Sequence, residues 1–140
     1  MEDRTRSFPD NWSQELDDLI DVTVEDMNAL KAVKRMEEAI SKGLSRSQSQ
    51  VAVAYMVLGT RYEDLDEVDK AIDRYSHAIQ MNVDNPLCYY WRGKLLLQQN
   101  RGKEARLDFE KALSFPESNR LMSPEFEKAQ DLLKQIDETS

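Results

Sequence analysis

The chain has 140 residues, a formal net charge of −8 and a single cysteine, Cys88. That length predicts one domain, and the acidity argues against nucleic acid or an anionic membrane surface as a partner, since both attract basic stripes. One cysteine rules out an internal disulfide and fits a reducing compartment.

Gly and Pro are scarce, four of each, which suits a helical protein and argues against a sandwich or barrel rich in turns. Residues 1–10 read as a flexible start without the apolar core of a signal peptide. No apolar run approaches the roughly 18 residues of a membrane span, so a cytoplasmic protein is expected. Residues 11–140 read as the domain.

From Asp10 to Asp26 the chain carries seven acidic residues and no Lys or Arg. Trp12, Leu16, Leu19 and Ile20 recur there at helical spacing, which predicts a short amphipathic helix with an acidic outer face. Thr23 suits the cap of a second helix, with Asp26 completing a box-like start. Val24, Met27, Leu30, Val33, Met36 and Ile40 then keep a three-four rhythm until Gly43, a C-cap signal. The polar run 45–50 reads as a loop. Helices are predicted over 51–65 and 68–81. Asp84-Asn85-Pro86 starts another, broken at Asn100-Arg101-Gly102. A further helix runs to Phe115, residues 116–122 form a loop, and Ser123-Pro124-Glu125 opens a last helix through Leu132, Leu133 and Ile136.

Self-similarity organises this series. Tyr55, Gly59, Ala71, Tyr75 and Ala78 recur as Tyr89, Gly93, Ala105, Phe109 and Ala112, each pair separated by 34 residues. Gly inside a helix costs roughly 1 kcal/mol against Ala, so two in register point to a packing requirement. The expectation is that Gly59 meets Ala71 and Gly93 meets Ala105, with Tyr75 and Phe109 between successive pairs. This pattern resembles the tetratricopeptide repeat in length and residue types. The resemblance is strong over two repeats, 52–85 and 86–119. Ala32, Met36 and Ala39 suggest a degenerate repeat over 13–46, with Ile20 where Gly should sit. Residues 123–138 would be a capping helix. Departures include Arg92 for the family's Leu and Leu96 for its Tyr.

The resemblance implies an all-α, right-handed superhelix of antiparallel helix pairs (an α-solenoid). The first helix of each pair would line a concave groove. The positions that would face a partner are Val53, Met56, Val57, Thr60, Glu63 and Asp64, then Leu87, Tyr90, Trp91, Lys94, Leu97 and Gln98. Tyr90 and Trp91 are anchor types at interfaces, and an aromatic and Met-lined groove suits an apolar peptide or amphipathic helix. The competing expectation is that Met56, Val57 and Trp91 are core. Glu63 and Asp64 would favour a basic segment. Of the positions that hold a chaperone's C-terminal carboxylate in some family members, Met56, Thr60, Tyr90 and Lys94 here, only Lys94 could serve, so that clamp is not expected.

No catalytic set emerges. His77, the only histidine, aligns with Lys111 and reads as a surface residue. Cys88 has no evident base, and neither metal-ligand spacing nor a phosphate loop is present. Acidic neighbours such as Asp17-Asp18 and Asp66-Glu67 read as solvated turns. The expectation is a non-catalytic protein- or peptide-binding adaptor, scaffold or assembly factor without metal or cofactor, open to self-association. The alternative is a small acidic secretion-type chaperone.

Overall fold

A computed structural model describes residues 12–25, 28–81 and 84–139. Its helices are α1 (Gln14–Glu25), α2 (Ala29–Ser41), α3 (Gln48–Asp64), α4 (Val68–Gln80), α5 (Pro86–Gln98), α6 (Gly102–Leu113) and α7 (Ser123–Thr139), with a 3-10 turn at Glu117–Asn119. No strand occurs among the described residues. None of the helices is long and apolar enough to cross a membrane. The flexible start expected over 1–10 lies outside the described residues, as do Asp26 and Met27.

Two boundaries differ from expectation, and each has a local cause. Thr23 sits inside α1, where its hydroxyl donates to the Leu19 carbonyl at 2.7 Å. The cap of α2 is Asn28, whose side chain accepts from the Lys31 N–H; Asn is at least as good a cap as Thr. The polar run 45–50 is only half loop. Ser47 caps α3 by accepting from Gln50 N–H, so Gln48 to Gln50 are helical. Gln50 is buried, and its amide exchanges hydrogen bonds with the backbone N–H and carbonyl of Ser13. A smaller shift ends α6 at Leu113, two residues early.

The other ends follow their signals. Asn85 accepts from Leu87 N–H, with Pro86 in the first turn of α5. Gly43 closes α2 at φ +65°. Its N–H donates to Ile40 and that of Leu44 to Ala39, the pair of bonds that satisfies the last carbonyls of a helix. The same closure recurs after α3 and α5. Asp66 and Asn100 take φ values of 59° and 60°. Their N–H groups donate to Glu63 and Leu97, and those of Glu67 and Arg101 to Tyr62 and Leu96. Asp and Asn are among the few residues with side chains that tolerate this left-handed backbone.

Helices adjacent in sequence pack together, α3 on α4 and α5 on α6 most extensively. Both pairs are antiparallel. Tyr55 near the start of α3 stacks on His77 near the end of α4, and Lys70 lies over Tyr62 at the other end. In the second pair Gly93 faces Phe109 and Tyr89 reaches Phe115.

The atoms nearest the two glycines belong chiefly to aromatic rings. A Cβ on Gly59 would overlap the Tyr75 ring, and one on Gly93 would stand 2.9 Å from Phe109 Cε1. Tyr75 and Phe109 are fully buried, each worth about 2–3 kcal/mol of transfer free energy. Tyr75 also meets Trp91 of the following pair at 5.7 Å between ring centroids. One core joins α1 to α4 around Leu16, Met36, Leu58 and Tyr75. A second joins α5 and α6 to α7 through Phe109, Ala112, Ala129 and Ile136. A third, small one gathers Ala52, Met56, Ala78 and Cys88. Trp91 packs against all three.

Candidate partner-binding face

The face expected on α3 and α5 divides into a buried row and an exposed row. Met56 and Tyr90 are only 8% and 5% exposed. Met56 belongs to the small core, and the Asn85 amide lies 3.8 Å from its sulfur. Val57 packs on the first core and Trp91 on all three. Tyr90 leans on Phe109, with ring centroids 6.3 Å apart, and shares a core with Ala129 and Ile136 of α7. Burial, and then the nearby Glu125 carboxylate, push its hydroxyl above the ordinary tyrosine range.

The exposed row is mixed. Val53 is 41% exposed. Thr60 is half-buried, its hydroxyl bonded to the Val57 carbonyl. Glu63 and Asp64 are exposed but engaged. Glu63 accepts from the Tyr75 hydroxyl, and Asp64 pairs with Arg61 at 3.1 Å. On α5, Leu87 and Leu97 are half-buried, and Lys94 and Gln98 are exposed. The Lys94 ammonium lies 5.3 Å from the Tyr90 ring centroid, a cation–π distance. The exposed row is therefore aliphatic and charged, with Met56 and Tyr90 beneath it.

Two ion-pair networks went unseen in the sequence. Arg92 donates from Nε and Nη2 to the two oxygens of Asp108, both at 2.7 Å, and from Nη1 to Ser76 Oγ at 3.0 Å. Asp108 is 4% exposed. The bond to Asp108 holds the Arg92 guanidinium above its usual range despite burial. Arg74 forks onto Glu37, which also accepts from the Tyr62 hydroxyl at 2.7 Å. Burial first, and then Glu37, push that hydroxyl up to about 12. Both networks tie one helix pair to another or close one pair on itself. The available signal was Arg92 standing where its repeat-mate is Leu58.

Burial pushes the Cys88 thiol up to about 12. His77 is partly exposed and stacks on Tyr55, its Nδ1 2.8 Å from the Asp73 carbonyl. No group of three or more His, Cys, Asp or Glu suited to a metal ion exists among the described residues. A cleft of about 430 Å³ lies elsewhere, between α1 and α2. A scan against models of known protein families finds no match, and a search of curated proteins finds none.

Proposed function

We propose that this chain is a short tetratricopeptide-type solenoid that binds a segment of another protein and carries out no chemistry. The observation that carries the reading is a local geometry repeated at the 34-residue interval. Gly59 lies under Tyr75 as Gly93 lies under Phe109. The left-handed Asp66 and Asn100 recur at the same spacing in the turns between paired helices. In this reading α1–α2, α3–α4 and α5–α6 stack as a right-handed superhelix, with α7 covering the last pair. The family resemblance rests on the recurrence of Tyr55, Gly59, Ala71, Tyr75 and Ala78 as Tyr89, Gly93, Ala105, Phe109 and Ala112.

The partner-facing surface is the exposed row on α3 and α5. Val53, Leu87 and Leu97 offer apolar contact, with Glu63 and Asp64 at the C-terminal end of α3 and Lys94 in the C-terminal half of α5. An amphipathic helix or extended peptide with a basic group opposite Glu63 and Asp64 fits that surface. A cytoplasmic setting accords with the lone buried thiol.

Affinity capture from the native cell tests the reading when wild type is compared with a folded Val53→Asp/Lys94→Glu variant. Both positions are exposed, so circular dichroism should not change. Proteins recovered by wild type and lost with the variant identify the partner. Equal recovery by both overturns the assignment of this face.

A further inference from the structure

Charge is segregated between the first two helices. The α1 sequence holds Glu15, Asp17, Asp18, Asp21 and Glu25 and no basic residue. On α2, Lys31, Lys34 and Arg35 are exposed around Leu30, itself 53% exposed. The two helices run antiparallel, because one cleft brings Glu15, Leu19 and Val22 of α1 against Lys42, Ala39 and Arg35 of α2. That cleft is open, and its apolar lining is Leu19, Val22, Ala39 and Leu44. Val22 is 43% exposed. Arg35 also borders a second, shallower cleft with Leu30, Lys31 and Lys34. Glu38, exposed on α2 in the same cleft, pairs with Lys42 at 2.8 Å. The basic half therefore rests on Lys31, Lys34 and Arg35, and the face is a two-helix layer with an acidic half, a net basic half and an apolar seam.

Such a layer complements a copy of itself. A two-fold axis running along the helices, between two such faces, lays each α1 over α2 of the other copy. Acidic side chains then meet basic ones twice, and the two apolar seams meet in the middle. An axis across the helices would instead set like charges together. We propose that the α1–α2 face is a homodimer interface, closed by a two-fold axis along the helices into a four-helix bundle. Isologous contacts of this kind are the commonest form of protein self-assembly, and helices packed at small angles form such bundles. Helices of 12 and 13 residues span only about 20 Å. The interface sits at the small end of the stable range, so association is expected in the micromolar regime. The face is separate from the α3–α5 surface and does not depend on the function proposed for it.

The test uses two charge-swapped full-length chains. One carries Asp18→Lys with Asp21→Lys, the other Lys34→Glu with Arg35→Glu; all four positions are exposed. Sedimentation velocity from about 1 to about 100 μM covers the concentrations at which a face this small associates. Wild type should shift from monomer to dimer across that range. Each variant alone should stay monomeric, because both of its contacts become repulsive. An equimolar mixture of the two should regain the dimer, because both contacts are again complementary. Circular dichroism melting of each variant checks that it folds. A wild type monomeric throughout, or a dimer that survives in either variant alone, overturns the proposal. So does a mixture of folded variants that stays monomeric.

Discussion

Arg92 reaches from α5 to Asp108 on α6 and binds both carboxylate oxygens at 2.7 Å, with Asp108 only 4% exposed. The geometry is the bidentate fork in which guanidinium and carboxylate interact most strongly. Breaking a buried pair leaves an uncompensated charge, whereas replacing both members with apolar groups is often neutral. Arg92→Leu alone should therefore cost about 3 kcal/mol or more by strandinging the Asp108 carboxylate. Adding Asp108→Ala should bring stability back to within about 1 kcal/mol of wild type. Urea denaturation of the single and double variants measures both values. A double variant as unstable as the single would mean that the pair does more than neutralise itself.

The glycines give a graded series. Gly59→Ala places a methyl in the Tyr75 ring, while Gly93→Ala makes a tight 2.9 Å approach to Phe109. Overpacking of this kind costs about 1–3 kcal/mol, against a helix-propensity gain of about 1 kcal/mol. Gly59→Ala should be clearly destabilising and Gly93→Ala less so. Gly102→Ala meets nothing closer than Ile136 at 3.9 Å and should be neutral or slightly stabilising. Melting temperatures of the three variants check the order.

These two cases mark where sequence reasoning reached and where it stopped. The 34-residue register marks Gly59, Tyr75, Gly93 and Phe109 as packing residues, because a glycine inside a helix costs stability and two in register point to a close approach. It did not say that each glycine lies directly against a ring of the paired helix, which depends on side-chain direction across the pair. Thr23 and Asn28 both suit a cap, and local sequence does not choose between them. Gln50 looked like a loop residue because its partner, Ser13, is 37 positions away. From α5 alone Tyr90 reads as a partner-facing anchor, and its burial at 5% exposure depends on where α7 docks.

Cys88 provides a pH prediction. Burial pushes its thiol up to about 12, whereas an unfolded cysteine titrates near about 8.5. Above that lower value the unfolded chain releases a proton that the folded chain keeps. Stability is then fully present below about pH 8.5 and falls as pH rises toward the folded value, by about 1 kcal/mol per pH unit from this group. Urea midpoints between about pH 8.5 and 9.5, below the ordinary tyrosine range, should fall in wild type and stay flatter in Cys88→Ala. The native thiol should also resist a disulfide reagent at neutral pH and react on unfolding. Rapid labelling of native protein would contradict its burial.

The last helix should be required for solubility. Ala129 and Ile136 of α7 bury against the core of α5 and α6, and Asp137 pairs with Arg106. Removing residues 123–140 uncovers Tyr90, Phe109 and Ala112, and terminal caps are what keep repeat arrays soluble. The truncated chain should aggregate or lose a large part of its stability. Light scattering and thermal unfolding read the two outcomes, and a monomeric truncation with unchanged melting would show that α7 is dispensable.

Tyr90 and Lys94 separate folding from binding on the proposed partner face. Tyr90 is 5% exposed under α7, so Tyr90→Ala removes a packed aromatic and should cost about 3 kcal/mol or more of stability. Any binding loss it causes would report unfolding as much as a missing contact. Lys94 is exposed above it, and Lys94→Glu should leave melting nearly unchanged. With a partner segment in hand, calorimetry on Lys94→Glu and on Val53→Asp reads the surface without disturbing the core. Both should weaken binding. Glu63 and Asp64, at the C-terminal end of α3, should make the wild-type affinity fall with added salt if the segment is basic there. Full affinity in both variants, with no salt dependence, would move the partner to another face.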